Sequence, residues 1–364
     1  MPGSTPLGTT PRKRDTGQAI APPIRQLHIG VVGVGRIGVL HVHTLLGLES
    51  VSALTLADAD APRANRLAAE LGVSAVETPA AVVEAGVDAL VIATATPGHA
   101  PLLRLAAAAG LPAFCEKPVA LDLATIVDLL DEVERAGILV QVGFQRRFDA
   151  GYRAARDAVA SGALGNLLVV RAATHDTPPP TEEFVARSGG IFRDLHIHDF
   201  DAVRYVTGQE ITEVYADGAV RELGWFERHG DVDTAVAVLR LSGGALGILT
   251  GTRWDPLGYD VRLEVFGSAD SIAVGLDERT PLRSVEPGAP PAGDGYAGFI
   301  DRFGHAYRRE LAAFVEAVRT GDPSPCSLDE ARAALTVAIA ADRSRAERRP
   351  VSIEEVTSAE AVAG

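Results

Sequence analysis

The sequence predicts an α/β protein in two parts: a doubly wound parallel sheet, followed by an α+β domain with a large, predominantly antiparallel open sheet. Three observations predict it. Short apolar runs alternate with helical patterns from Leu27 to residue 145, the rhythm of βαβ units. From residue 146 the rhythm becomes period-two alternation broken by glycine turns. Finally, 47% hydrophobic residues spread over 364 positions supply two cores and exceed one ordinary domain.

Taken in order, residues 1–26 are rich in Pro, Gly and Thr and predict a disordered leader. Arg12, Lys13 and Arg14 are followed by no apolar core, so the leader does not read as a secretory signal. "LHIGVVG" is the first strand and "RIGVLHVHTLLGL" the first helix. "ALTLAD" is a strand, and "APRANRLAAELG" a helix stopped by Gly72. "ALVIATA" and "LPAFCEKP" are strands around the helix "HAPLLRLAAAAG". The helix "LATIVDLLDEVERAG" and the strand "ILVQVGF" complete the first domain, 27–145. In the second, 146–364, strands come from "GNLLVVRAATH", "EITEVYADGAV", "DTAVAVLRLSGGALGILTGTRW" and "YDVRLEVFGSADSIAVGL". Helices fall near 151–160, over 194–207 and in the C-terminal third.

Composition excludes several functions. A net charge of −14 argues against nucleic acid or an anionic membrane as partner. No uninterrupted run approaches the roughly 18 apolar residues of a membrane span. Two cysteines, Cys115 and Cys326, make no disulfide framework and fit a reducing cytoplasm.

Between the first strand and first helix stands Gly33-Val34-Gly35-Arg36-Ile37-Gly38. In a G-x-G-x-x-G the first glycine permits the tight turn, the second admits a pyrophosphate and the third lets helix and strand pack closely. The helix N-terminus adds free N–H groups and partial positive charge. Asp58, 20 residues beyond Gly38 at the end of the second strand, can accept both ribose hydroxyls and repel a 2′-phosphate. The expectation is therefore a Rossmann domain that binds NAD, with NADP disfavoured although Arg63 lies close by. Thr94 and Thr96 end another strand at the same sheet edge, either as cofactor contacts or as ordinary turn residues.

Of 34 basic residues only Lys13 and Lys117 are lysines, and Lys117 alone lies outside the leader. Arginine cannot give up its proton and lysine can. Glu116-Lys117-Pro118 closes a strand at the ligand edge, which directs Lys117 at the cofactor crevice as a proton-transfer or carbonyl-polarising group. Proline after it raises the chance of a cis bond. In "DLHIHDFDAV", Asp194 and His198 stand i, i+4 on the predicted helix, so the carboxylate would orient the imidazole. His196 would point elsewhere. Divergent His-x-His geometry argues against a metal, and none is expected.

These stretches, with "GVGRIG", "CEKP", "VGFQRRFD", "GGIFRDLHIHDFD" and "LGYDVRLEVFGS", resemble the glucose–fructose oxidoreductase/inositol dehydrogenase (Gfo/Idh/MocA) family from Leu27 to Val351. The segments "LGYDVRLEVFGS" and "FIDRFGHAYRRELAAFVEAVRTGDP" are most similar to its inositol 2-dehydrogenase branch. The resemblance implies that Lys117, Asp194 and His198 are the catalytic trio and that Glu116 lies by the nicotinamide ribose. It also implies a substrate pocket lined by Arg147, Asp176 and Tyr259; His175 supplies a further polar group there. The implied reaction is NAD-dependent oxidation of a cyclitol or sugar hydroxyl, myo-inositol first. Its alternatives are another sugar or aminocyclitol, or an NAD-using glycosidase of the same fold. A homodimer or homotetramer through the C-terminal sheet is implied too. Leu257 and "ATHDTPPP" depart from the family pattern at the pocket, which leaves the particular polyol open.

Overall fold

The computed structural model describes residues 25–289, 291 and 293–363, so the expected leader falls almost wholly outside the described residues. The first half builds β1 (Leu27–Val32), α1 (Arg36–Leu46), β2 (Val51–Ala57), α2 (Ala61–Leu71), β3 (Ser74–Ala75) and α3 (Pro79–Glu84). It continues with β4 (Ala89–Ile92), α4 (His99–Ala108), β5 (Ala113–Glu116), α5 (Leu123–Ala136) and β6 (Val140–Gly143). The six strands are parallel in the order β3-β2-β1-β4-β5-β6. Strand order reverses beside β1, which opens a crevice at the carboxyl ends of β1 and β4. Strands β4, β5 and β6 are buried along their whole length, as a sheet covered on both faces requires. Asp122 starts α5 by accepting from Thr125 N–H at 2.8 Å, and Gly137 ends it in the left-handed region. Periodicity marks neither β3 nor α3, because two and six residues are too few to display one.

The second half contains α6 (Ala150–Ala160), β7 (Leu167–His175), α7 (Glu182–Ser188), α8 (Ile191–Asp194), α9 (Ile197–Thr207), β8 (Ile211–Ala219) and β9 (Thr234–Leu241). Then come β10 (Leu246–Thr252), β11 (Asp260–Gly267), β12 (Ser271–Val274), α10 (Phe299–Thr320), α11 (Leu328–Glu347), β13 (Val351–Ser352) and α12 (Ile353–Ala363). The sheet runs β12-β11-β7-β10-β9-β8-β13, and every pairing but β7 with β10 is antiparallel. One face packs against α9 and α11. The other leaves Tyr215, Val236, Val238, Leu246 and Ile248 exposed side by side.

Three features differ from the pattern read in the sequence. Helix α7 forms over Glu182–Ser188, where no helix is expected; it is too short to show a period, and Thr181 starts it by accepting from Phe184 N–H. The helix expected over 194–207 is two helices: α8 stops at Asp194, and α9 begins at Ile197 after Leu195 and His196. Helix α10, far along the chain, packs Leu311, Phe314 and Val315 into the core of the first sheet beside Val31, Val42 and Phe114. Its buried stripe thus bridges both halves.

Candidate active site

The glycine loop has the shape of a phosphate cradle. Gly33 sits at φ 95°, and a Cβ there would strike the Ala93 backbone across the crevice. A Cβ on Gly38 would strike the Gly33 carbonyl, while one on Gly35 would meet nothing within 4 Å. Gly33 and Gly38 therefore serve packing, and Gly35 keeps a surface open to ligand. No side chain caps the N-terminus of α1, so its first N–H groups are available to an anion. Arg36 is exposed with its guanidinium 4.6 Å above the Phe299 ring of α10, and Ile37 is half-buried behind it.

Asp58 accepts from Val34 N–H (2.7 Å), Asp60 N–H (2.8 Å) and Arg63 (2.6 Å). Burial alone would raise its pKa, but Arg63 and these backbone donors outweigh it and hold the carboxyl below its ordinary value. Arg63 is drawn down onto Asp58 by the same contact. Thr94 lies half-buried, its carbonyl 2.9 Å from His99 Nε2, and Thr96 opens a short turn at residues 96–98. The carboxylate of Glu116 meets His41 Nε2 of α1 at 2.7 Å and accepts from Lys117 N–H at 3.3 Å.

Lys117 follows β5, joined to Pro118 by a cis bond. Its Nζ donates to the Asp194 carbonyl (2.9 Å) and to Asp194 Oδ1 (3.0 Å), not to Glu116. Asp194 Oδ2 lies 2.9 Å from Arg253 of the segment after β10, and Arg253 also donates to Asp176 at 3.2 Å. Four side chains thus alternate in sign: Lys117, Asp194, Arg253, Asp176. Burial would raise Asp194, yet Lys117 and Arg253 outweigh it and keep Asp194 below its ordinary pKa. Burial raises Asp176, with Arg253 only partly offsetting it.

The expected Asp194–His198 contact is not made. The break between α8 and α9 takes the two residues off one helical face, and Asp194 spends its oxygens on Lys117 and Arg253. His198 is instead packed edge-on to Phe144 at 6.0 Å. Its Nδ1 is enclosed without a partner, which leaves Nε2 as the nitrogen able to meet a ligand. Burial, reinforced by Lys117, Arg146 and Arg253, pushes its pKa well below 6.5, so the ring is neutral. Within "DLHIHDFDAV" the histidine that pairs with a carboxylate is His196, whose Nδ1 lies 2.8 Å from buried Asp199.

Arg147 is turned away from this cluster. Its guanidinium is bound by Asp201 (2.6 Å) and Glu330 (2.8 Å), and Tyr205 donates to its carbonyl. The neighbouring Arg146 points inward, fully buried on Asp199 and Thr174. In "QRRFD" the two arginines are indistinguishable by type, and the tight turn over 145–148 decides which faces the crevice. His175 lies 3.3 Å from Thr250 Oγ1 and near Asp255 and Asp260. Those three could approach a cation within 4.8 Å of one another, but Arg262 already engages both oxygens of Asp260. Tyr259 is buried against Phe303, with its pKa raised by burial and by Asp176. Arg253 is the residue that sequence reasoning missed: one arginine among 32 carries no signal, except that it directly follows a strand of the second sheet.

A dinucleotide cradle on a parallel sheet, with one lysine and a neutral buried histidine at its edge, defines an NAD(P)-type oxidoreductase arrangement. Residues 27–144 match the model of the oxidoreductase family with an NAD-binding Rossmann fold, and residues 152–273 match the Gfo/Idh/MocA C-terminal domain. The chain belongs to the Gfo/Idh/MocA family. It is 38% identical to a myo-inositol 2-dehydrogenase of Thermotoga maritima, covering 91% of this chain and 99% of that one. It is 39% identical to a myo-inositol dehydrogenase of Streptomyces leeuwenhoekii, covering 87% and 96%. A solved scyllo-inositol dehydrogenase of Lactobacillus casei with bound NAD(H) and scyllo-inositol superposes with a TM-score of 0.82 at 27% identity, covering 90% and 99%.

Proposed function

We propose that the protein oxidises a secondary hydroxyl of a cyclitol, myo-inositol first, to the ketone with NAD. The observation that carries this reading is the juxtaposition of Lys117, held by Asp194, with the neutral ring of His198 at the carboxyl edge of the first sheet. Asp194 takes two of the three N–H donors of Lys117 and leaves the third for the substrate oxygen. His198, neutral, accepts the hydroxyl proton at Nε2. Arg253 holds Asp194 from behind. Bound NAD supplies the hydride acceptor. The open surface at Gly35 receives its pyrophosphate, with Arg36 and Ile37 beside it, while Thr94, Thr96 and Glu116 flank the nicotinamide end and Asp58 takes the adenosine ribose. Asp176, His175 and Tyr259 supply polar groups for further hydroxyls, and specificity arises where a wrong isomer leaves them unpaired.

Relatives named for both myo- and scyllo-inositol support a cyclitol and leave the isomer to Leu257 and the 174–180 loop. The exposed apolar row on the second sheet supports a homodimer or homotetramer through that face. Buried free Cys115 and Cys326 support a cytoplasmic site of action, and no helix among the described residues is long and apolar enough to cross a membrane. The test is NADH absorbance with purified protein, NAD and myo-inositol at alkaline pH. A rate is expected; its absence with myo-inositol, scyllo-inositol and a panel of sugars would overturn the reading.

A further inference from the structure

Helix α1 buries His41 completely, beside the apolar Val42 and Leu45. Two aromatic rings fix its plane: Phe114 of β5 lies edge-on at 5.4 Å, and Tyr307 of α10 at 6.1 Å. Its Nε2 lies 2.7 Å from Glu116 Oε1, 75 residues further along the chain. An ionised carboxylate only accepts, so the proton of that contact sits on Nε2. Nδ1 is enclosed without a partner. Burying a polar nitrogen unpaired is costly, and an aliphatic side chain at position 41 would avoid that cost. The contact with Glu116 is the one hydrogen bond the ring makes among the described residues.

Glu116 ends β5 at the carboxyl edge of the first sheet, and Lys117 follows it. Its Oε2 accepts from Lys117 N–H at 3.3 Å, a long contact. The same oxygen lies against Gly143 of β6, where a Cβ would come within 3.0 Å. Among the described residues His41 is the only side chain hydrogen-bonded to this carboxylate. The Glu116 side chain keeps 10% exposure, and its two oxygens have acceptor sites to spare, so a ligand hydroxyl can reach them. His41 lies one turn beyond Gly38 on α1, and β5 stands two places from β1 in the sheet. The imidazole thus ties the helix of the glycine cradle to the end of β5.

We propose that His41 is a positioning residue for the nicotinamide ribose, acting through Glu116. This rests on the reading of Glu116 as a cofactor-binding group. The imidazole N–H holds one carboxylate oxygen, which fixes the rotamer of Glu116 and keeps its remaining acceptor sites for the ribose hydroxyls. The same contact sets the spacing between the helix that receives the pyrophosphate and the strand end that receives the ribose. Without it the carboxylate is free to turn, and the ribose loses a preorganised acceptor.

The test is NADH binding, followed by the fluorescence of the reduced nicotinamide, with steady-state turnover of the polyol alongside. His41→Leu should weaken NADH binding about tenfold, the loss of one hydrogen bond to a charged group. The polyol KM, and kcat at saturating NAD, should stay within about threefold. His41→Gln, whose amide nitrogen can take the place of Nε2, should restore binding to within about threefold of the parent. His41→Asn, whose amide stops short of Glu116, should behave like the leucine variant and serves if that variant does not fold. A merely structural role would lower the melting temperature without separating cofactor from polyol or glutamine from asparagine. Unchanged NADH affinity in the leucine and asparagine variants overturns the proposal. Once Glu116 is replaced by alanine, His41→Leu should weaken binding by less than about twofold more; a full tenfold there would show that His41 acts by another route, and overturns it too. Glu116→Ala alone separates the two readings. If it weakens NADH binding and the His41 variants do not, only the role of His41 fails; if it too is silent, the reading of Glu116 fails and takes this one with it.

Discussion

Replacing Arg253 with methionine is the sharpest perturbation of the charge chain. Arg253 is 4% exposed at its side chain and holds Asp194 at 2.9 Å and Asp176 at 3.2 Å. Removing one partner of a buried pair costs about 3–5 kcal/mol, because the other charge is left buried and uncompensated. Here Asp194 keeps Lys117, and Asp176, 27% exposed, can hydrate, so the low end of about 3 kcal/mol applies. Against a total stability of about 5–15 kcal/mol the variant still folds. Its melting temperature should drop by about 5–10 °C. Turnover should fall further than stability suggests, since Asp194 loses the contact that aims it at Lys117 and a displacement of about 1 Å near the reacting atoms costs about 100-fold. The assay is NADH formation at saturating NAD and polyol, beside a thermal melt. Adding Asp176→Asn to the variant removes the stranded carboxylate and should recover part of the melting temperature while leaving turnover low. Turnover within about threefold of the parent, a loss under about 1 kcal/mol, would refute the positioning of Asp194 by Arg253.

Four further outcomes are expected. Lys117→Met should lower kcat by about 1,000-fold while NADH affinity stays within about twofold, and unchanged turnover would remove Lys117 from the chemistry. His198 has a folded pKa depressed below 6.5 by burial and by Lys117, Arg146 and Arg253. As pH falls through 6.5 the unfolded chain therefore binds a proton that the folded one refuses, and stability is lost toward the depressed value. His198→Asn should flatten the drop in melting temperature between about pH 7 and pH 5, and an unaltered slope would contradict a neutral ring. Asp58→Ala frees Arg63 as well as deleting the ribose acceptor, so the preference for NAD should narrow by about tenfold or more in kcat/KM; equal use of both cofactors by the parent would void the premise. Val238→Glu, central in the exposed apolar row, should shift sedimentation toward a monomer, whereas an unmoved profile would place the contact elsewhere.

Local signals carried most of the first half. The strand–glycine–helix transition at Gly33 needs only the period of its neighbours and the absence of side chains at three positions, both written in sequence. The scarcity of lysine likewise made Lys117 visible before any geometry. What stayed hidden was nonlocal. The sequence pattern continues helically through "DLHIHDFDAV", yet Leu195 and His196 break it, because tertiary packing overrides propensity where His196 must reach Asp199 and Phe192. Arg146 and Arg147 are adjacent and alike, and only the turn assigns one to Asp199 and the other to Asp201.

Arg253 was illegible for a physical reason. It is an ordinary residue type whose meaning lies in the partners that distant segments bring, residues 176 and 194. It sits one contact behind Asp194, a group that a motif does announce. Chemistry at the crevice selects a residue type at a fixed place on a strand or turn, and such constraints leave a local mark. Support from behind requires only a donor or a charge at the right point in space, and any element passing there can provide it. In this chain the segment after β10 does so, where Arg253 meets both Asp194 and Asp176.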